Sequence, residues 1–272
     1  MKSSEIIRKY GISPKKSFGQ NFLINEDILE KIASFIVLEN KNIIEVWPWY
    51  WALTERILQK NISGLDLVEL DNKMIDILED RIKIGDLVIW KTDFRINNID
   101  VLKYDPKFKD YLVIANIPYY ITSPILFRFL YEVANKPSEM IILMQKDVAD
   151  KIRKTKWNKT SVLSLYIEYK CEEIKEIVKV WPGNFIPPPK VESSVLYFKL
   201  RQNPDASLDK DFIEIIKLWF SERRKKLISN LSKRYDKDNI ADTFNILWLN
   251  PNIRAEELTL DNWTDIIKSL KK

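Results

Sequence analysis

The feature that most constrains the fold is an alternation of short apolar runs, typical of strands, with amphipathic helical stretches. The strand-like runs are Asn42–Val46, Leu65–Leu70, Leu87–Trp90, Tyr111–Ala115 and Met140–Leu143. The helical stretches between them are Leu53–Ile62, Lys73–Ile82 and Pro124–Val133. Such alternation predicts an α/β fold with a parallel, doubly wound (Rossmann-like) sheet, whose ligand binds at the carboxyl ends of the strands.

Flanking segments complete the predicted organisation. A helix capped by Asn25 precedes the sheet, and a helix near Lys146–Thr155 follows it. Further strands are predicted at Leu163–Tyr169, Ile174–Val180 and Ser194–Leu200. A polar, turn-rich segment comes next, and the chain after it has helical spacing throughout. We therefore expect a first domain over residues 1–204 and a small all-helical domain over residues 205–272.

Positive charge is concentrated in local runs. The 272 residues include 44 Lys and Arg against 39 Asp and Glu, a net charge of only +5. One run contains Lys151, Arg153 and Lys154, and a second contains Arg223, Arg224, Lys225 and Lys226. A solvated helix face would explain either run alone. Together with a basic N-terminus and a site for a flat base, they favour binding to an RNA backbone.

Cysteine and histidine usage restricts the chemistry. The single Cys171 excludes an internal disulfide, and the absence of His removes the commonest metal ligand and general base. The first 21 residues lack the charged and apolar pattern of a signal peptide, and no apolar run has membrane-spanning length. We expect a monomeric, cytoplasmic protein without a metal.

The tetrapeptide Asn116-Ile117-Pro118-Tyr119 follows an apolar strand and suits an amino group on a flat ring. The Asn116 side-chain oxygen can accept one N–H of that amine, and the Ile117 carbonyl can accept the other. Two such acceptors favour a pyramidal nitrogen with a localised lone pair, and Tyr119 can stack on the ring. The alternative is an ordinary turn at the end of a strand.

Two carboxylates occupy comparable positions at strand ends. Glu69 ends the second strand, where it can accept both hydroxyls of a ribose, and Asp100 follows the third, where it suits an adenine amine. A surface carboxylate is the commoner role for either residue alone. Glu69, Asp100 and the Asn-Ile-Pro-Tyr segment follow one another along the chain, each at the end of a strand. This order indicates a site where a nucleoside-containing cofactor binds beside a base.

Together these residues resemble the ribosomal RNA adenine dimethyltransferase family, which dimethylates N6 of adjacent adenines in small-subunit RNA with S-adenosylmethionine. Segments similar to the family motifs are Phe18–Leu23, Val68–Asp71, Asn116–Tyr119, Met144–Ala149, Asn184–Ser193, Phe220–Lys225 and Asn250–Arg254. The segments Pro187–Val191 and Asn250–Arg254 favour this family over the related large-subunit enzymes that confer antibiotic resistance.

The resemblance implies roles for individual residues. Asn116, Ile117, Pro118, Tyr119 and Phe185 would form the catalytic site, with Phe185 stacking on the adenine opposite Tyr119. The residues implied to bind the cofactor are Gln20, Asn21, Leu23, Trp47, Trp49, Glu69, Asp100 and Asn116.

The chain departs from the family in the loop Glu45–Thr54, where Trp47, Trp49 and Trp51 replace glycines. The loop must turn tightly and bring its backbone close to the cofactor, which a Cβ obstructs. One explanation is a protein that has lost its cofactor and acts as a non-catalytic RNA-binding assembly factor or a transcription factor. The other explanation is that the codon translated here as Trp specifies glycine in the source organism.

Composition favours the second explanation. The chain has nine Trp and five Gly, whereas Gly alone makes up about 7% of average proteins. The family also suggests a small residue at Trp157, Trp181, Trp219 and Trp248, whereas an aromatic residue is unremarkable at Trp263.

Overall fold

The computed structural model describes residues 3–12, 14, 19–49, 51–154, 160–201, 206–220, 222 and 225–270. The chain forms two compact units. The first contains Met1–Ala149 and Glu173–Leu200, and the second contains Asp150–Glu172 and Arg201–Lys272. Each unit is described separately below.

The first unit is built on a seven-stranded, mostly parallel sheet. Within the described ranges the strands are β1 (Phe22–Leu23), β2 (Asn42–Val46), β3 (Gly64–Glu69), β4 (Asp93–Asn98), β5 (Leu112–Asn116), β6 (Glu139–Gln145), β7 (Cys171–Val180), β8 (Phe185–Ile186) and β9 (Ser193–Leu200). The large sheet has the order β4-β3-β2-β5-β6-β9-β7, and β1 pairs with β8 separately. Strands β2 to β6 are parallel, and β9 is antiparallel to β6. The predicted Rossmann-like α/β fold is confirmed.

The helices include those predicted near Leu53–Ile62, Lys73–Ile82, Pro124–Val133 and Lys146–Thr155. They are α1 (Ser3–Lys9), α2 (Glu26–Ser34), α3 (Ala52–Leu58), α4 (Asn72–Lys83), α5 (Thr122–Phe127), α6 (Lys146–Ile152), α7 (Val162–Lys170), α8 (Ala206–Trp219), α9 (Leu227–Leu231), α10 (Lys237–Ile246) and α11 (Leu260–Leu270). A π-helical turn, Arg128–Glu132, extends α5. Asn25 caps α2 by accepting a hydrogen bond from the Ile28 N–H at 3.0 Å, as predicted.

Two strand predictions are wrong. The third strand of the parallel series is Asp93–Asn98, not Leu87–Trp90. This strand lies at the sheet edge and is only half-buried, so its sequence is polar and lacks the apolar signal of a central strand. Leu163–Tyr169 is helical because Ser161 caps α7 in a capping box with Ser164. A short apolar run does not distinguish a buried helix from a strand.

The second unit is helical and includes α7. Tyr169 stacks on Phe212 of α8 with ring centroids 4.1 Å apart, and Tyr166 also contacts that ring. The buried Lys170 ammonium forms an ion pair with Asp209 of α8. These contacts place residues 150–172 with the C-terminal helices, whereas the sequence prediction assigned them to the first domain. A domain boundary near residue 205 remains a prediction.

Candidate active site

The candidate site lies where the strand order reverses. Strand β2 pairs in parallel with β3 on one side and β5 on the other, so Val46 lies beside Val68 and Ala115. The residues that follow these pairs, including Glu69 and Asn116, therefore meet at the carboxyl edge of the sheet. Ligands bind at such a reversal in doubly wound folds.

The Asn116 segment presents a buried hydrogen-bond acceptor at this edge. The Asn116 Oδ1 atom is inaccessible to solvent and has no hydrogen-bond partner among the residues that the structure describes. Pro118 precedes a 3-10 turn, Tyr119–Ile121, which fixes the direction of the chain after β5. An acceptor buried without a partner costs free energy, so its persistence points to a ligand that donates an N–H or O–H.

Tyr119 is held in place by its hydroxyl group. The Tyr119 Oη atom is 2.7 Å from Ser193 Oγ at the start of β9. Burial raises the pKa of the Tyr119 hydroxyl, and the Ser193 hydrogen bond partly offsets this. The ring is therefore neutral and fixed in orientation. Ser193 was not predicted as a site residue, although it ends the segment Asn184–Ser193 that resembles a family motif.

The N-terminal segment is joined to the Phe185 segment by main-chain pairing. Leu23 in β1 pairs with Phe185 in β8, and both side chains are buried. Gln20 is buried, and Asn21 donates a hydrogen bond to the Gly19 carbonyl at 3.2 Å. The cofactor contacts of Gln20, Asn21 and Leu23, and the stacking of Phe185 on a base, remain predictions.

Gly19 packs against the tetrapeptide. A Cβ added at Gly19 would lie 3.5 Å from Pro118 Cβ and 3.6 Å from the Tyr120 ring. Gly19 also has a φ of +59°, a conformation that glycine adopts without strain. The N-terminal segment therefore reaches the end of β5.

Glu69 has one satisfied and one unsatisfied carboxylate oxygen. Its Oε1 accepts hydrogen bonds from the N–H groups of Leu70 at 2.7 Å and Asp71 at 2.8 Å. Its Oε2 is buried without a partner within the described part of the chain. Burial raises the pKa of Glu69 to about 7, although backbone hydrogen bonds oppose this shift. The unsatisfied oxygen can accept a hydrogen bond from a hydroxyl group of a ribose.

Glu45 is a second buried carboxyl group that the sequence analysis did not identify as a site residue. It lies on β2, and Thr54 Oγ1 donates a hydrogen bond to its Oε2 at 2.6 Å. Burial raises the pKa of Glu45 to about 8, and Glu69 adds to the shift by charge repulsion. The sequence signal was the acid itself, inside an otherwise apolar strand.

Asp100 lies two residues beyond β4, on the same edge as Glu69. The last pair between β3 and β4 joins Glu69 to Asn98. The Asp100 side chain is half-buried and accepts a hydrogen bond from the Leu102 N–H at 3.0 Å, which caps the turn Val101–Lys103. Its observed role is local capping, and its binding to an adenine amine remains a prediction.

The loop after β2 does not leave room for a cofactor. Trp47, Trp49 and Trp51 are buried and have positive φ values of 55°, 45° and 65°. The cavity bounded by Trp47, Trp49, Glu45 and Asn116 has a volume of only about 10 Å³. The unsatisfied oxygens of Glu69 and Asn116 suit S-adenosylmethionine, but the indoles of Trp47 and Trp49 line a cavity beside Asn116 that is too small for it. The residues present therefore do not fit the cofactor.

The basic residues proposed to bind RNA lie in the second unit. Lys151, Arg153, Lys225 and Lys226 are exposed, whereas Lys154 is half-buried. Lys154 forms an ion pair with Glu168, and Lys225 forms one with Glu222. Arg223 and Arg224 lie outside the described residues. The two basic runs thus belong to one compact unit, although they are far apart in sequence.

The described residues offer neither a metal site nor a membrane span. No group of three or more His, Cys, Asp or Glu side chains in these ranges is arranged to hold a metal ion. No helix in these ranges has both the length and the apolar character needed to span a membrane.

Comparisons with known proteins identify the family. A family model described as ribosomal RNA adenine dimethylase matches residues 11–272. Ribosomal RNA small subunit methyltransferase A of Mesomycoplasma hyopneumoniae strain J is 38% identical, with 91% of this chain and 92% of that protein covered. The protein of the same name from Alkaliphilus oremlandii is 35% identical, with 100% and 96% covered.

Solved structures show the same fold. A dimethyladenosine transferase from Plasmodium falciparum matches with a TM-score of 0.76 and 20% identity, over 90% of this chain and 95% of that one. The 23S rRNA methyltransferase ErmE matches with a TM-score of 0.72 and 19% identity, over 93% and 100%. Because the family model spans nearly the whole sequence, the chain belongs to the ribosomal RNA adenine dimethylase family, whose members are S-adenosylmethionine-dependent methyltransferases.

Proposed function

We propose that this protein, in a form with glycine at positions 47, 49 and 51, methylates N6 of adenines in small-subunit ribosomal RNA during ribosome biogenesis, with S-adenosylmethionine as methyl donor. The observation that carries the proposal is the buried, partnerless Asn116 Oδ1 at the carboxyl end of β5. The relatives named as small-subunit methyltransferases support the substrate.

The proposed role of the Asn116 segment is to activate a poor nucleophile. The lone pair of an adenine N6 is delocalised into the ring. Hydrogen bonds from its two N–H groups to Asn116 Oδ1 and the Ile117 carbonyl favour a pyramidal nitrogen. This stabilisation is stronger in the transition state than in the ground state, and only such interactions accelerate the chemical step.

The aromatic residues are proposed to hold the base. Tyr119, fixed by Ser193, would stack on one face of the adenine, and Phe185 would stack on the other. Stacking contributes roughly 1–3 kcal/mol per base. No strong base is needed, because the nitrogen proton becomes acidic as positive charge develops and can pass to water.

The second unit is proposed to grip the RNA backbone. The exposed cations Lys151, Arg153, Lys225 and Lys226 supply the positive charge, and we include Arg223, Arg224 and Lys154 from the sequence. Such contacts fix the orientation of RNA without reading bases and weaken with salt. Because its substrate is ribosomal RNA, we propose that the protein acts in the cytoplasm, as a monomer and without a metal.

The test replaces Asn116 by Ala in a protein that carries Gly at positions 47, 49 and 51. We expect the methylation rate of immature small subunits, measured by mass spectrometry, to fall by about 10²–10³-fold. RNA affinity should change by less than about twofold, because Asn116 contacts one amine only. Asn72→Ala, an exposed position at the start of α4, is the matched control. Equal loss of binding and methylation would contradict the assigned role.

A second function, RNA binding without catalysis, is favoured by one observation. The indoles of Trp47 and Trp49 fill the space where a cofactor would lie. Calorimetry with S-adenosylmethionine and a methylation assay on the variant with Gly at positions 47, 49 and 51 separate the two functions, because a non-catalytic factor would bind RNA but gain no methylation when glycine replaces the indoles.

A further inference from the structure

Four tryptophans have a backbone conformation that suits glycine. Of the eight Trp that the structure describes, Trp47, Trp49, Trp51 and Trp248 have positive φ. Outside glycine this region is tolerated mainly by Asn and Asp, as at Asn40. For a bulky side chain each such residue should raise the unfolding equilibrium constant about 5- to 30-fold.

In the loop after β2, main-chain hydrogen bonds fix this conformation. The Trp47 N–H donates to the Val68 carbonyl at 3.0 Å, and the Trp51 N–H donates to the Pro48 carbonyl at 2.8 Å. These bonds need no side chain at the three Trp positions. The Trp51 indole is fully buried, and its Nε1 has no partner in the described ranges, so it adds a cost.

Trp248 shows the same pattern in the other unit. At the end of α10 the Trp248 N–H bonds the Asn245 carbonyl at 3.2 Å, and the Leu249 N–H bonds the Phe244 carbonyl at 2.9 Å. This is a Schellman motif, in which the residue at the position of Trp248 is usually glycine. The indole is 94% exposed, so it is not buried in a core that would retain it.

We infer that the functional protein carries glycine at positions 47, 49, 51 and 248, because the codon written as Trp is decoded as glycine in its source. Loss of cofactor binding would account for the three loop positions but not for the helix cap, which belongs to the other compact unit. The loop part rests on the proposed function, whereas the cap part is independent of it.

The backbone separates these four positions from the other tryptophans. Trp181 has an extended conformation with φ −77°. Trp219 ends α8, and its ring stacks on Trp263 of α11 with centroids 4.0 Å apart. Trp181 and Trp219 were suspected from the sequence, but their conformations are open to any residue. Trp157 lies outside the described residues.

The first test reads the residues directly. Mass spectrometry of the protein isolated from its source should show glycine at all four positions, and the gene should have UGA at each. Trp in the peptides, or UGG codons, at these positions would overturn the inference, whatever the enzyme does.

The second test measures binding and stability of recombinant variants. In calorimetry, the triple variant W47G/W49G/W51G should bind S-adenosylmethionine at least 100-fold more tightly than the protein with Trp at these positions. Trp248→Gly alone should lower the unfolding equilibrium constant by about 5- to 30-fold, with cofactor affinity unchanged. The matched control is Trp263→Gly, buried in the middle of a helix, which should raise that constant.

The outcomes separate this inference from the proposed function. A folded triple variant that binds no cofactor, or a destabilised Trp248→Gly variant, would overturn the inference. A triple variant that binds cofactor but methylates no RNA would reject the proposed function and leave the inference standing.

Discussion

Stability should fall as pH rises from about 5 to 8, because two buried carboxyl groups bind protons more tightly in the folded state. Burial raises the pKa of Glu45 to about 8 and that of Glu69 to about 7, against an ordinary value of 4.5. When the folded pKa is the higher one, the folded state holds more protons between the two values. Stability is therefore fully present below 4.5 and is lost as pH rises through the folded pKa.

The size of the effect follows from these values. Each pKa unit between the folded and unfolded states corresponds to about 1.4 kcal/mol, so Glu45 sets an upper limit of about 5 kcal/mol. The Glu69 contribution does not simply add, because the charge of Glu69 is itself one cause of the raised pKa of Glu45. Local relaxation and water entry reduce such limits, so we expect a loss of about 2 kcal/mol or more by pH 8.5.

The test is Glu45→Gln, which keeps an oxygen that can accept the 2.6 Å hydrogen bond from Thr54. Urea unfolding followed by circular dichroism between pH 5 and 8.5 should show a decline for the parent chain and a shallower one for the variant. At pH 8.5 the variant should be the more stable protein. The control is Glu79→Gln, exposed on α4. A parent stability that is constant or rises across this range would refute the argument.

Three further predictions concern the site and the helical unit. In the glycine-restored protein, Glu69→Gln should weaken S-adenosylmethionine binding about 10- to 100-fold in calorimetry, because a hydrogen bond to a charged group contributes about 1.5–3 kcal/mol; an unchanged affinity would exclude the ribose contact. Tyr119→Phe should retain most methylation, whereas Tyr119→Ala should raise the KM for RNA about 5-fold or more by loss of stacking; equal effects would place the role of Tyr119 in its hydroxyl. Lys170→Met should destabilise the protein by about 2–4 kcal/mol in urea unfolding, because it leaves the half-buried Asp209 carboxylate without its ion pair; a neutral effect would show that the pair does not hold α7 on α8.

The sequence predicted the buried central strands but misplaced one edge strand. Strands such as Asn42–Val46 lie at the centre of the sheet, so burial on both faces makes them mostly apolar and recognisable. The edge strand Asp93–Asn98 carries charged and polar residues and was assigned to the wrong segment. The helix Val162–Lys170 is buried on most sides and so lost the amphipathic periodicity that identifies helices.

Site residues followed the same rule. Glu69 and Asn116 were predicted as site residues because a polar side chain at the end of an apolar strand stands out in the sequence. Ser193 was missed because its role depends on a partner far away in sequence: it reaches Tyr119, 74 residues earlier in the chain. No local pattern encodes such a contact.

The loop after β2 shows how a local conflict can be interpreted physically. Natural sequences are consistent across levels, so residue type, backbone conformation and burial normally agree at each position. At Trp51 all three disagree: a bulky residue has a positive φ, its indole is fully buried, and its Nε1 has no partner among the described residues. Strain at functional sites is tolerated when it serves the ligand, but here the side chains exclude the ligand that we propose Glu69 and Asn116 bind. Glycine at these positions removes the conflict. It removes the backbone strain of a positive φ, the buried indole N–H without a partner, and the side-chain volume that fills the cofactor cavity. Because one change removes three independent energetic costs, we assign the conflict to the translation of the codon and not to the fold.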